Sequence, residues 1–153
     1  MKLSKNLTLQ ECIKSGTAKR LGIDNTPKEK HVFSLKETAN NIFQPVREFF
    51  NTPIYVSSGY RSEELNKAIG GSSSSQHCKG EALDLDADVF GGVTNDQIFT
   101  YIKDHLDFDQ LIWEFGNEYT PDWVHVSYKG KHNRNNILKA EKINGKTVYS
   151  RFI

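Results

Sequence analysis

Two short stretches of the sequence carry the side chains best suited to bind a metal ion. The first reads SQHCKGEALDLD and contains His77 and Asp84, and the second reads DWVHVSY and contains His125. A hydrolytic zinc site uses about three protein ligands from histidine, aspartate, glutamate or cysteine and leaves one position open for water. Gly80 lets the chain bend back between His77 and Asp84. We therefore take these two residues and His125 as the candidate ligand set.

Each of these residues, taken singly, also has an ordinary explanation. A lone histidine on a strand is more often hydrogen-bonded than bound to a metal, and an aspartate in LDLDAD can simply face water. The other histidines, His31, His105 and His132, fall in no comparable pattern. The choice between metal ligands and ordinary polar residues therefore depends on the residues around them.

The surrounding residues follow a known metal motif. The segments SSGYRS, SQHCKGEALD and WVHVSY, in this order, resemble the zinc D-alanyl-D-alanine peptidase family, which shares its catalytic fold with lysostaphin-type enzymes and hedgehog signalling domains. The motif of that family is Ser, any residue, His, any two residues, Gly, any residue, Ala, any residue and Asp, followed by a distant His after Trp-Val or a similar pair. The residues in register with it are Ser75, His77, Gly80, Ala82, Asp84 and His125. The resemblance implies Zn²⁺ as the cofactor, bound by the two histidines and the aspartate.

A peptidase of this kind also needs a carboxylate that takes a proton from water and passes it to the leaving amine. Glu114 in LIWEF and Asp122 in DWVHV are the two candidates. If these segments pair as antiparallel strands, a register with Glu114 opposite His125 places both side chains on one face of the sheet. Many members of the family instead carry a glutamate three residues before the last histidine, where this sequence has Asp122. We prefer Glu114, and Asp122 stays as the alternative.

Arg61 and Ser75 are the candidate substrate-binding residues. Arg61 is in register with an arginine that the family uses to bind substrate or to stabilise the oxyanion, a role that suits a planar guanidinium. Without the resemblance it would be read as a surface arginine. Two roles are open for Ser75: it can form a hydrogen bond to substrate, or it can cap the turn. Cys78, next to His77, is expected to be a packed free thiol rather than a ligand.

Composition limits the classes of partner. The chain of 153 residues has the size of one domain, and we assign residues 1–153 to a single zinc peptidase domain. Its 20 basic and 19 acidic residues give a net charge of +1, which argues against nucleic acid as a partner. Because no window approaches the roughly 20 apolar residues of a membrane span, membrane insertion is not expected. We expect a monomer in which Cys12 and Cys78 are both free thiols.

Capping residues predict where the helices begin. The predicted starts are Thr8 with Glu11 three residues later, Ser34 with Glu37, Ser62, and Thr94 or Asn95. The first helix is expected to run from about Leu9 to Ser15. Pro45 lies inside the second helix and should kink or split it.

Alternating or β-branched runs predict the strands. These runs are PIYVSSG, EALDLDAD, the antiparallel pair FDQLIWEFG and DWVHVSY, and a C-terminal hairpin turning at Asn144-Gly145. In EALDLDAD the leucines point to one face of the strand and Asp84 to the other. The resemblance implies an α+β fold with a central, mostly antiparallel sheet, helices on one side and the metal in a groove on the sheet.

The function implied by the resemblance is hydrolysis of amide bonds in peptidoglycan stem peptides or cross-links by a zinc metallopeptidase. The N-terminal stretch MKLSKNLTLQECIKSG has no continuous apolar run, so we expect synthesis in a host cytoplasm without a signal peptide. Action on the cell wall would then follow release as a phage-type lysin or delivery as a virion component. The alternative is a zinc-stabilised binding or virion assembly module without turnover, since a fold does not by itself imply catalysis. The motif leaves the cleaved bond and the type of wall open.

Overall fold

A computed structural model describes residues 1–152; Ile153, the last residue of the predicted C-terminal hairpin segment, lies outside the described residues. The α-helices are α1 (Leu9–Ile13), α2 (Gly16–Leu21), α3 (Glu29–Thr38), α4 (Gln44–Phe50), α5 (Glu63–Ala68) and α6 (Asn95–His105). A π-helical segment, Ala39–Phe43, joins α3 to α4. Two short 3₁₀ turns lie at Gln76–Lys79 and Gly130–His132.

Most of the strands form one mixed sheet. The strands are β1 (Lys2–Ser4), β2 (Leu7–Thr8), β3 (Tyr55–Ser58), β4 (Ala82–Asp86), β5 (Gln110–Glu114), β6 (Trp123–Ser127), β7 (Asn136–Ile143) and β8 (Lys146–Arg151). The six-stranded sheet has the order β3-β4-β6-β5-β7-β8, and β1 pairs with β2 separately. Every neighbouring pair in the large sheet is antiparallel except β5 and β7, which are parallel. The predicted α+β fold with a mostly antiparallel sheet is confirmed.

The two faces of this sheet differ because side chains alternate along each strand. One face packs against side chains of α3, α4 and α6 in a single apolar core. Its buried strand residues are Val56, Leu83, Leu85, Leu111, Trp113, Val124 and Val126. Burial of each such side chain stabilises the fold by about 2 kcal/mol. The opposite face carries Asp84, Glu114 and His125, so the candidate chemical groups lie together on the side of the sheet that these helices leave uncovered.

The helix predicted to be capped by Ser34 is capped six residues earlier, at Lys28, so that prediction is wrong. α3 starts at Glu29, and the Ser34 hydroxyl lies inside the helix, where it donates to the carbonyl of Lys30 at 3.2 Å. A ring nitrogen supplies the capping interaction instead, because the N–H of Lys28 donates to Nδ1 of His31 at 3.1 Å. Histidine is not among the usual capping residues, so the sequence favours Ser34 as the cap of this helix.

The predicted disruption at Pro45 takes the form of the π-helical segment. Proline has no N–H to donate to the preceding turn. Immediately before it, the N–H of Gln44 donates to the carbonyl of Ala39, five residues back, so that the wider turn absorbs the irregularity and α4 continues. The chain thereby keeps Phe43 and Val46 in the core on either side of the proline.

The remaining start and turn signals are confirmed. Thr8 and Thr94 each form a capping box, and the hydroxyl of Ser62 accepts from the third residue of α5. The C-terminal hairpin turns at Asn144 and Gly145, with φ angles of 52° and 77°, as a two-residue type I′ turn requires. Within residues 1–152, none of the helices combines the length and the apolar character needed to cross a membrane.

Candidate metal centre

The turn that carries His77 is shaped by the two motif residues around it. The hydroxyl of Ser75 accepts from the backbone N–H of His77 at 3.3 Å and caps the 3₁₀ turn. Gly80 ends the turn with a φ of 74°, and a Cβ at this position would lie 2.5 Å from the carbonyl oxygen of His31. Any larger residue at position 80 would therefore push α3 away or strain the backbone. The spacing of Ser, His and Gly in the motif corresponds to one capped, tightly closed turn that leads directly into β4.

The sheet register brings the other two candidate ligands together. Asp84 on β4 lies directly opposite His125 on β6, so both side chains point to the same face. Nδ1 of His125 lies 3.1 Å from Oδ1 of Asp84, and Nε2 of His77 lies 3.3 Å from the same oxygen. Ligand atoms about 2.1 Å from one tetrahedral zinc ion are about 3.4 Å apart. Both distances to Asp84 are close to this separation, and the ligand atoms of all three side chains lie within 4.8 Å of one another.

His77 is held in the form that can bind a metal. Its Nδ1 lies 2.7 Å from the backbone carbonyl oxygen of Gly59, and since a carbonyl can only accept, Nδ1 carries the proton. Nε2 therefore has the free lone pair, and this buried atom makes no hydrogen bond to any of the described residues. A buried ring nitrogen without a partner, oriented by a carbonyl on the other nitrogen, is the usual arrangement of a zinc-bound histidine.

The electrostatics agree with this assignment. Burial lowers the pKa of His77, and the negative charge of Asp84 opposes that effect only in part. Burial by itself would raise the pKa of Asp84, but the two histidine rings beside this carboxylate, His77 and His125, hold its pKa well below the usual range. At neutral pH the group therefore contains a neutral His77 and an ionised Asp84, which are the forms that bind a metal ion. Together with His125, these residues fit Zn²⁺.

Glu114 lies in the same groove as the three candidate ligands. This groove, the metal groove, has a volume of about 710 Å³. Besides the three ligands and Glu114, its walls include Arg61, Ser75, Gln76, Phe115, Trp123 and Tyr149. Glu114 is only 6% exposed, and burial raises its pKa to about 7, opposed by His125 and assisted by the charge of Asp84. A carboxyl group that titrates near neutral pH can both accept and return a proton.

The predicted register between β5 and β6 is wrong by two residues. Glu114 lies opposite Trp123, and His125 lies opposite Ile112. The loop closes early because Phe115 and Gly116 both have positive φ, 57° and 75°, and turn the chain directly after the strand. A shift of two residues keeps every side chain on its predicted face. Glu114 and His125 therefore share one face, as neighbours on the diagonal rather than as a direct pair.

Asp122 lies away from the metal groove. Its side chain is exposed and lines a separate depression with Phe115, Glu118 and Lys142. Its backbone N–H donates to the carbonyl of Glu114 at 2.9 Å, so its position helps to close the loop after Glu114. The structure thus places Glu114, and not Asp122, with the three candidate ligands.

Arg61 lines the metal groove, and its side chain is held there by Asn66. The sequence does not predict this contact. The side-chain carbonyl of Asn66, itself 4% exposed, accepts from Nη1 of Arg61 at 3.0 Å, and its amide donates to the carbonyl of Ser72 at 2.8 Å. A Cβ at Gly71 would lie 2.0 Å from this side-chain oxygen of Asn66. The glycine pair after α5 is therefore needed for this packing as well as for ending the helix. The sequence pattern does not predict this role of Asn66, because only tertiary contacts connect it to Arg61.

Asp109 is a second residue that the sequence reading missed. It is fully buried, and its carboxylate accepts from the backbone N–H, Nε and Nη2 of Arg134 at 3.0, 2.9 and 2.7 Å. It also accepts from Nε2 of Gln76 at 3.0 Å. Since Gln76 immediately precedes His77, this carboxylate connects the turn that carries His77 to the start of β5 and to the loop before β7.

The other candidates are placed as follows. Ser75 caps the turn and also lines the metal groove, so its position is compatible with both of its predicted roles. Cys12 and Cys78 are free thiols, and burial raises the pKa of both. The aromatic residues Phe115, Trp123 and Tyr149 line the groove, and the ring centroids of the first two are 5.4 Å apart.

The fold and the site together define a class of protein: an α+β protein with a candidate His-Asp-His metal centre and a buried carboxylate beside it. A family model described as Peptidase M15 matches residues 5–127, which include all three candidate ligands and Glu114. The chain therefore belongs to the M15 peptidase family, and by family it is a zinc metallopeptidase acting on peptide substrates. The suspected family and the predicted zinc cofactor are confirmed. No curated protein shows significant similarity to the chain.

Proposed function

We propose that the chain hydrolyses amide bonds in peptidoglycan, either in the stem peptides or in their cross-links, with zinc bound by His77, Asp84 and His125. The observation that carries the proposal is the position of Glu114 in the same groove as these three residues. A zinc-stabilised module without turnover needs no buried carboxylate beside the ligands, whereas hydrolysis does. Bound zinc supplies the Lewis acid that polarises the carbonyl and acidifies water.

Glu114 is assigned to proton transfer. Its carboxylate takes a proton from the attacking water, and the resulting carboxylic acid gives that proton to the nitrogen that leaves when the amide bond breaks. Burial raises the pKa of Glu114 to about 7, which suits a group that must hold the proton briefly near neutral pH. Asp122 remains the alternative base, and its exposed position outside the metal groove argues against it.

Arg61 and Ser75 are assigned to the substrate. Arg61 donates one hydrogen bond to Asn66 through Nη1 and lines the metal groove, so the other end of the guanidinium can donate to a substrate. Stem peptides carry free carboxylates, which a guanidinium binds well, and a developing oxyanion would be stabilised by the same charge. Ser75 lines the same groove, where its hydroxyl can bond to the peptide backbone.

The experiment is incubation of the zinc-loaded protein with purified peptidoglycan, followed by mass spectrometry of the soluble products. One type of amide bond should be cut, and the products identify it. Glu114→Gln should abolish cleavage, and Asp122→Asn is the matched control that should retain it. If zinc-loaded wild type releases nothing from walls of several types, the zinc module without turnover is the better description. If Asp122→Asn abolishes cleavage and Glu114→Gln does not, the base assignment is reversed.

The proposal extends to the route by which the protein meets its substrate. Within it, the protein is made in a host cytoplasm and acts on the wall as a phage-type lysin, free after release or carried by a virion. The test is to add the purified protein to bacteria with permeabilised membranes and to follow the turbidity. Lysis by wild type but not by Glu114→Gln supports this role, and intact cells despite cleavage of purified peptidoglycan contradict it.

A further inference from the structure

The C-terminal hairpin forms part of the metal groove although it lies beyond the residues matched by the family model. That match ends at residue 127, whereas β7 and β8 span residues 136–151. Three side chains of this hairpin nevertheless line the groove: Leu138, Thr147 and Tyr149. The parallel pairing of β7 with β5 brings them there, because β5 carries Glu114. One wall of the site is therefore built by a segment whose sequence the family match does not cover.

The strand registers align Tyr149 with Glu114. Glu114 on β5 lies opposite Ala140 on β7, and Ala140 lies opposite Tyr149 on β8. Residues opposite each other in neighbouring strands share one face of the sheet, so these three side chains form a row across it. Ala140 is fully buried and has only a methyl group, so the side chains on either side of it can extend over the strand between them. The tyrosine ring therefore has a clear path from the edge strand toward the carboxylate.

The hydroxyl of Tyr149 is available as a hydrogen-bond donor. The residue is 55% exposed, far more than Glu114, so the ring is at the open side of the groove where a substrate would lie. Burial of part of the ring, with the negative charges of Glu114 and Asp84, raises the pKa of the phenol. The group therefore keeps its proton at neutral pH, and it can donate to an acceptor such as a peptide carbonyl oxygen.

We propose that Tyr149 is a substrate-binding residue of this peptidase, whose hydroxyl donates a hydrogen bond to a carbonyl oxygen of the bound peptide. The sheet order places it across the ligands from Arg61, because Arg61 follows β3 at one edge and Tyr149 lies on β8 at the other. A peptide lying across the groove would thus be held at both ends, with the reacting bond between them. This inference rests on the proposed function, and it adds that the hairpin takes part in peptide recognition.

The test compares Tyr149→Phe, which removes only the hydroxyl, with wild type in steady-state cleavage of a soluble stem peptide. Loss of one neutral hydrogen bond to substrate should lower kcat/KM by about fivefold, mainly through a higher KM. Two controls should stay within twofold of wild type. Tyr119→Phe removes a hydroxyl from a tyrosine that is 76% exposed and outside the groove, and Val148→Ala alters the next residue along β8. Zinc content should be unchanged in all variants.

A second measurement does not depend on turnover. Calorimetric titration of the stem peptide into zinc-loaded Glu114→Gln, with and without Tyr149→Phe, should show affinity falling by about the same factor. An unchanged affinity, or kinetics of Tyr149→Phe equal to those of wild type, overturns the proposal. If wild type itself cleaves no peptide and releases nothing from peptidoglycan, it is the proposed function that fails. The two failures are thus distinguishable.

Discussion

Replacement of Glu114 by glutamine should stabilise the metal-free protein at alkaline pH. The carboxyl group is 6% exposed, and burial raises its pKa from the ordinary value of 4.5 to about 7. Glutamine has nearly the same size and no charge, so the replacement removes the cost of burying an ionised group. The metal-free protein is the right material, because a bound Zn²⁺ would favour the ionised carboxylate and mask the effect.

The expected magnitude follows from the two pKa values of Glu114. At pH values between 4.5 and about 7, the carboxyl group of Glu114 binds more protons in the folded chain than in the unfolded chain. The free energy of unfolding therefore falls as the pH rises. A difference of one pKa unit corresponds to about 1.4 kcal/mol. Wild type should therefore be less stable than Glu114→Gln by about 1 kcal/mol at pH 5 and by about 3 kcal/mol at pH 8. Groups that are common to both proteins cancel in this comparison.

Urea unfolding in the presence of a chelator, followed by tryptophan fluorescence, measures the free energy of unfolding at each pH. Glu118→Gln serves as the control, because Glu118 is an exposed carboxylate near the same loop and its replacement removes no buried charge. A stability difference between wild type and Glu114→Gln that is the same at pH 5 and pH 8 would refute the reasoning. Such a result would mean that packing, and not the burial of charge, distinguishes the two side chains.

Three further predictions concern the metal and the substrate arginine. His77→Ala should reduce bound zinc from about one ion per chain to almost none, as measured by elemental analysis. Gly59→Ala should weaken zinc binding by about 10- to 100-fold in a chelator competition, because a Cβ there would lie 2.5 Å from the carbonyl oxygen of Cys12 and displace the carbonyl that orients His77. Asn66→Ala should lower kcat/KM by about tenfold with zinc content unchanged, since it frees Arg61 from its hydrogen bond.

Each of these variants has a matched control. His132 is an exposed histidine on a 3₁₀ turn, and its alanine variant should keep full zinc. Gly16→Ala adds a methyl group where nothing lies within 4 Å, so zinc affinity should not change. Asn41→Ala removes an exposed amide that donates to the carbonyl of Glu37, four residues earlier, and activity should be retained. Full zinc in the His77 variant, tight zinc in the Gly59 variant, or full activity in the Asn66 variant would each contradict the corresponding assignment.

Local signals in the sequence were enough to predict most of the elements. The capping boxes at Thr8 and Thr94 and the turn at Asn144-Gly145 depend on residues at most three positions apart, and all of them form as expected. The prediction of a helix start at Ser34 is wrong because the ring of His31 accepts a hydrogen bond from the backbone N–H of Lys28 at the N-terminus of α3. The alternation in β4 correctly placed its leucines in the core and Asp84 on the opposite face, since a period of two leaves no other arrangement.

The sequence pattern does not predict contacts between residues that are far apart along the chain. The register of β5 and β6 depends on where Phe115 and Gly116 turn the chain, which hydrophobic alternation does not specify. Gly59 orients His77 from 18 residues away, and Asp109 bonds both to Gln76, 33 residues earlier, and to Arg134, 25 residues later. Each of these contacts exists only once the strands and turns have assembled, so no local periodicity signals it.

The parallel pairing of β5 with β7 divides the site between two separable parts of the chain. The candidate zinc ligands and Glu114 all come from residues 77–125, whereas the hairpin from residue 136 onward contributes Leu138, Thr147 and the proposed substrate-binding residue Tyr149. The hairpin docks along one side of β5 and turns back on itself, so its residues can change while the strands that carry the ligands keep their register. The hairpin is therefore a segment that protein engineering can replace. Grafting a hairpin of different sequence onto β5 is a route to a new peptide preference with an unchanged zinc centre.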